Sequence, residues 1–226
     1  MRRFLLLAAA LTLIATQSLA VGIKNTKHDL SASGSGTIQD TAYSEICVFC
    51  HTPHRADTSN TNAPLWNRSG LADINIVKIY NSATLNPLSK DATALTAIND
   101  SDAPLCLSCH ITTYLTKNLR NPSNINGVDT QPVTTGWTLS ANAEIGIELH
   151  DDHPIGMPYA TVQSTDDEFR APSGSGVSQK VSSLNLYTNT GVMWCSSCHD
   201  VHNNTYAPFL ATNNTGSGLC LTCHIK

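Results

Sequence analysis

All eight cysteines of this 226-residue chain fall into four Cys-x-x-Cys-His units, and none is left over. The units read CVFCH at 47–51, CLSCH at 106–110, CSSCH at 195–199 and CLTCH at 220–224. Two of them carry another histidine three residues further on, in CVFCHTPH (47–54) and CSSCHDVH (195–202). This pattern limits the possible folds more than any hydrophobic periodicity does. Four disulfides are one reading of eight cysteines in an exported chain, and two four-thiolate zinc sites are another. Neither employs the histidine after every pair. Histidine is 9 of 226 residues, so four chance placements have a probability on the order of 10⁻⁶.

Covalent haem attachment uses the whole unit. The two thiols add across the two vinyl groups of one porphyrin, and the following histidine lies under the iron as an axial ligand. On this reading Cys47, Cys50 and His51 hold a first haem, and Cys106, Cys109 and His110 a second. Cys195, Cys198 and His199 hold a third, and Cys220, Cys223 and His224 a fourth. The expected cofactors are four covalently attached haem c groups.

Such attachment fits an exported chain. Arg2 and Arg3, the apolar run FLLLAAALTLIA and the small residues SLA before position 21 read as a signal peptide over 1–20. The run is too short to span a bilayer, and no cysteine stands at the cleavage site to carry a lipid. The expected product is a single domain over 21–226, extracellular or at the cell surface, with the periplasm as the alternative. Only 13% of the chain is charged, about half the usual share. Loss of the two signal arginines leaves 11 basic against 17 acidic side chains. No basic patch suggests nucleic acid.

Serine, threonine, asparagine and glycine fill stretches such as SASGSG, TSNTNAP and ATNNTGSG. The expected fold is therefore mostly coil, with short α-helices at the haem motifs, a small β-hairpin, and a core built around four stacked haems. Helical patterning is fair over 72–80 and 88–98. It is better at 103–115, where Asp102 stands at a capping position and Pro104 in the first turn. KVSSLNLY and VMWCSSC, joined by TNTG, read as a hairpin leading into the third motif.

Five histidines remain for the second axial positions: His28, His54, His150, His153 and His202. Beyond position 20 the only methionines are Met157 and Met193, so bis-histidine ligation is expected, which lowers potential relative to a Met/His pair. An imidazole places its Cα about 6 Å from the metal it binds, so two axial histidines have Cα atoms about 12 Å apart. Three extended residues span at most about 11 Å. His54 therefore cannot serve the iron of His51, nor His202 that of His199, and His150 and His153 cannot share one iron. A doubled histidine is a connector, one ring for its own haem and the other for a different one. Pro154 fixes the backbone after His153 and favours it over His150 as the ligand.

KHDLS, CVFCHTPH followed by APLWN, DDHPIGM, CSSCHDVHN and LCLTCH together resemble the multihaem cytochromes with doubled Cys-x-x-Cys-His motifs. With four haems in a chain of this size, it looks most like the OmcE-type tetrahaem cytochromes that polymerise into extracellular filaments. The resemblance runs from about His28 to the end of the chain. It implies a continuous haem stack and one axial histidine donated across the subunit boundary. Carried over by position, the donated ligand is His54; His28, His153 and His202 are internal ligands, and His150 is the spare or an alternative to His153. Some relatives have proline at the position of Val201.

Three functions suit such a chain: a filament subunit for long-range electron transfer, a periplasmic electron shuttle, and a multihaem reductase. A reductase needs an iron with an open position, and five spare histidines for four irons argue against one. No enzymatic activity is expected. Many shuttles are lysine-rich and dock electrostatically, whereas this chain is acidic and sparsely charged, a surface that resists self-association poorly. The expected partners are other copies of the same chain, joined head to tail, upstream electron-donating cytochromes and extracellular electron acceptors.

Overall fold

A computed structural model describes residues 22–60, 65–70, 80, 101–115, 118–186 and 191–225. The signal peptide at 1–20, the helical pattern at 88–98 and all of that at 72–80 except Tyr80 lie outside the described residues. Regular structure is short. Helices are α1 (Ala103–His110), α2 (Thr112–Leu115), α3 (Tyr159–Gln163), α4 (Cys195–Cys198) and α5 (Gly218–Cys223). A 3₁₀ turn covers Cys47–Phe49. Among the described residues, no helix is long and apolar enough to cross a membrane.

Strands β1 (Asn124–Ile125) and β2 (Val128–Asp129) pair antiparallel, with Ile125 opposite Val128. Asn126 and Gly127 between them have φ of 55° and 85°, the positive values that a two-residue hairpin turn needs and that Asn-Gly supplies. A second hairpin joins β3 (Lys180–Val181) to β4 (Leu184–Asn185). The sequence suggested that KVSSLNLY would pair with VMWCSSC. Instead KVSSLN folds back on itself at Ser182, whose φ is 51°, while Val192 bridges to Pro158. A serine in the left-handed region gives a tight turn that propensity does not announce.

Side chains hold the coil by bonding the nearby backbone, which is what Asp, Asn, Ser and Thr do best. Asp29, with no exposed surface, accepts from the Ser31 and Ser33 hydroxyls at 2.5 and 2.7 Å and from the Asn25 N–H at 3.0 Å. Burial raises its carboxyl's pKa, but these donors outweigh it and leave the value below the ordinary one. Buried Asn67 donates to the carbonyls of Val48 and Asn121 at 2.6 and 2.9 Å and accepts the Asn121 N–H at 2.8 Å. Buried Arg68 donates to the carbonyls of Tyr114 and Leu115 at 3.1 and 2.6 Å. Those carbonyls lie at the end of α2, where a cation is favoured.

Among the described residues, apolar burial is split among three clusters. One gathers Tyr80, Ala103, Leu105, Leu107, Ile111 and Leu149 around α1. A second gathers Leu30, Tyr43, Phe49, Leu115, Leu119 and Trp137 beside the first motif. The third gathers Met157, Tyr159, Val162, Val181, Leu186 and Met193 beside the last two motifs.

Candidate functional site

Each Cys-x-x-Cys-His unit closes one turn of backbone. The histidine N–H reaches the carbonyl of the first cysteine at 2.8 Å in His51, 3.0 Å in His199 and 2.9 Å in His224. His110 lies in α1 at the same spacing from Cys106. One turn puts both sulfurs and the following imidazole on one side of the chain, the arrangement a covalently attached porphyrin requires.

All eight sulfurs are unbridged, and among the described residues no four cysteines gather around a point. Burial raises the Cys50 thiol to about 12 and the Cys198 thiol to about 11, with neighbouring cysteines adding to it. The four-thiolate cluster that the zinc reading needs is not present among the described residues.

The thiols of successive motifs are adjacent. Cys50 and Cys109 pack against the cluster around Phe49. The sulfurs of Cys106 and Cys195 lie within 4.8 Å of one another. Cys198 and Cys223 line one apolar cavity, which His153 and His224 also line. The motifs thus neighbour one another in chain order.

The histidines fall into pairs. Two imidazoles that share one metal through nitrogens about 2 Å away have ring centroids about 6 Å apart. His51 and His202 are 6.1 Å apart, His28 and His110 6.1 Å, and His153 and His224 6.3 Å. Each pair joins a motif histidine to one from the remaining five. The ring planes lie at 18° in the first pair and at 83° and 74° in the others.

Protonation suits the same role. Nδ1 of His110 is 2.7 Å from the Ala143 carbonyl, Nδ1 of His153 3.0 Å from that of Pro154, and Nδ1 of His199 3.3 Å from that of Pro208. A carbonyl accepts, so the proton sits on Nδ1 and the Nε2 lone pair is left for a metal. Burial lowers the pKa of His28 to about 4, with smaller contributions from His110, His199 and His202, so its ring is neutral. These residues fit haem irons.

Three histidines stand outside the pairs. Among the described residues no imidazole faces His199 across a single-metal span. His150 is exposed, its Nδ1 at 3.7 Å from Glu148 and 3.9 Å from Asp151. His54 is exposed on a braced loop. The hydroxyl of buried Thr52 donates to the His54 carbonyl at 2.8 Å and accepts the His54 N–H at 3.3 Å, while Asn121 donates to that hydroxyl at 2.9 Å.

One site residue lay hidden in the sequence. Asp102 holds the capping position of α1, but its carboxylate makes no hydrogen bond to that helix. It turns to the start of α4, accepting the N–H of Cys195 at 3.2 Å and of Ser196 at 2.8 Å. Burial raises its pKa, with those donors opposing the change. Ser101 takes the vacated place, its hydroxyl accepting the Ala103 N–H at 3.0 Å.

The family model for the doubled CXXCH motif matches residues 189–226, which carry the third and fourth units. The match indicates a multihaem c-type cytochrome-like region with covalently attached haem c and a role in electron transfer. No curated protein matches the chain.

Proposed function

We propose that the chain is a tetrahaem electron-transfer cytochrome that polymerises into an extracellular filament, each subunit donating an axial histidine to the next. The observation that carries this reading is the uneven histidine count around the motifs. Three motif histidines each have a second imidazole at the single-metal span, whereas among the described residues His199 has none and His54 stands exposed on a braced loop. Cys47, Cys50, Cys106, Cys109, Cys195, Cys198, Cys220 and Cys223 hold the haems. His51, His110, His199 and His224 are proximal ligands. His202, His28 and His153 complete the irons of His51, His110 and His224, and His150 is the spare. His54 of one molecule completes the iron of His199 in the next. The haems supply reversible one-electron chemistry, and the chain holds them in sequence order.

A head-to-tail contact of this kind is heterologous and continues without limit unless its rotation closes a ring. The sparse charge weakens mutual repulsion. With every iron six-coordinate in the assembled state, no position remains for a substrate, so the protein carries electrons without catalysis. Export follows from the haem attachment and the reading of 1–20. Upstream cytochromes deliver the electrons, and acceptors outside the cell receive them.

The test is intact mass, optical spectroscopy and electron microscopy of the secreted protein. We expect the mature chain plus four haem masses, no high-spin band, and filaments. Fewer haems would remove the tetrahaem assignment. A discrete monomer with one five-coordinate iron would leave the cytochrome and remove the polymer.

A further inference from the structure

Asp102 joins two motifs that are far apart in the chain. Its backbone carbonyl accepts the N–H groups of Leu105 and Cys106 at 3.0 and 3.3 Å, which starts the helix of the second motif. Its carboxylate accepts the first two N–H groups of α4, the helix of the third. Four-residue α4 needs such partners, since helix starts leave N–H groups unmatched. Around this clasp, Cys195 packs against the cluster that contains Leu105 and Leu107, and the sulfurs of Cys106 and Cys195 meet within 4.8 Å. Asp102, Cys106 and Cys195 also have the look of a cation site. Both thiols are committed to thioether bonds, which leaves the carboxylate as the lone hard ligand and excludes that use.

We infer that Asp102 is a positioning residue that fixes the third attachment motif against the second, setting the distance and angle between the two groups those motifs carry. This rests on the tetrahaem reading above. It adds to that reading a specific registering contact between motifs separated by 84 residues of chain.

The test compares Asp102→Ala, Asp102→Asn and a control, Asp40→Ala, in the exported, matured protein. Buried Asp40 also clasps backbone, accepting the N–H of Ala42 at 2.8 Å and of Val133 at 2.7 Å, and neither partner belongs to a motif. Intact mass counts the haems, and Soret circular dichroism reads their mutual geometry through the paired bands that closely spaced chromophores produce. We expect four haems in every variant. The Soret couplet should be strongly reduced in Asp102→Ala and partly restored in Asp102→Asn, which keeps one acceptor oxygen. Asp40→Ala should lower Tm and leave the couplet intact. An unchanged couplet in Asp102→Ala, or an equal loss in Asp40→Ala, overturns the assignment. If Asp102→Ala fails to mature, Asp102→Asn decides alone: a wild-type couplet overturns the inference and a weakened one supports it. Fewer than four haems in the unsubstituted protein would count against the tetrahaem reading, a failure distinct from that of the clasp.

Discussion

The two doubled motifs, CVFCHTPH and CSSCHDVH, share one spacing and have opposite fates. In the second, His202 lies 6.1 Å from the ring of His51, far back in the chain. In the first, His54 reaches no imidazole among the described residues. Their supports differ too. Behind His54 stand buried Thr52 and Asn67, with Asn121 between them. Behind His202 stand exposed Asp200, which accepts the His202 N–H at 3.0 Å, and half-buried Asn204, which accepts the Phe209 N–H at 2.9 Å. A ligand for an internal iron is held in place by that iron. A ligand for a neighbouring molecule has no such help before assembly; on the proposed reading, the buried bracing under His54 would supply the order instead.

The largest effect expected from breaking this contrast is at His54. His54→Ala should keep four attached haems, since attachment requires only the Cys-x-x-Cys-His units. Electron microscopy should then show monomers in place of filaments, with one five-coordinate iron. Normal filaments would mean that His54 is not the bridging ligand. His202→Ala should do the reverse, giving one high-spin iron per subunit while filaments persist. Loss of filaments there with no spectral change would exchange the two roles.

A finer comparison lies within HDDH at 150–153. His153 faces His224, and His150 faces carboxylates. His153→Ala should raise the high-spin fraction and His150→Ala should leave it unchanged; a larger change in His150→Ala would reverse the assignment. Ring angles give a spectroscopic version. The nearly parallel His51/His202 pair should yield an ordinary rhombic low-spin ferric signal, and the steeply crossed His28/His110 and His153/His224 pairs strongly anisotropic ones. A paramagnetic resonance spectrum containing one class alone would contradict these pairings.

The smallest effects concern the bracing. Asn67→Ala leaves two half-buried carbonyls and an N–H without their side-chain partner and should cost about 2–3 kcal/mol in thermal unfolding. Asn204→Ala, at a half-buried turn, should cost about 1 kcal/mol. Equal costs would show that the two motifs are supported alike.

Local features were legible in the sequence and distant ones were not. The four Cys-x-x-Cys-His units are read from spacing alone, and the surplus of histidines from counting. The helix at 103–110 announced itself through Pro104 and its apolar run. The partner of each surplus histidine did not, because His28 meets His110 and His202 meets His51 through folds of the intervening coil. Asp102 misleads for the same reason: its position promises a cap for α1, while its carboxylate serves α4. The hairpin at 180–185 was misplaced because its turn depends on a serine at positive φ, which any pattern of hydrophobic residues leaves unmarked.

The division of the apolar interior into three clusters bears on how such a protein is made. Among the described residues each cluster buries six side chains, and a core so divided leans on the groups that the motifs would carry. Polypeptide lacking its prosthetic groups should therefore stay open to proteolysis, and only correctly loaded molecules should survive. Maturation would then act as a checkpoint, so that defective units are destroyed before one could enter the filament proposed above.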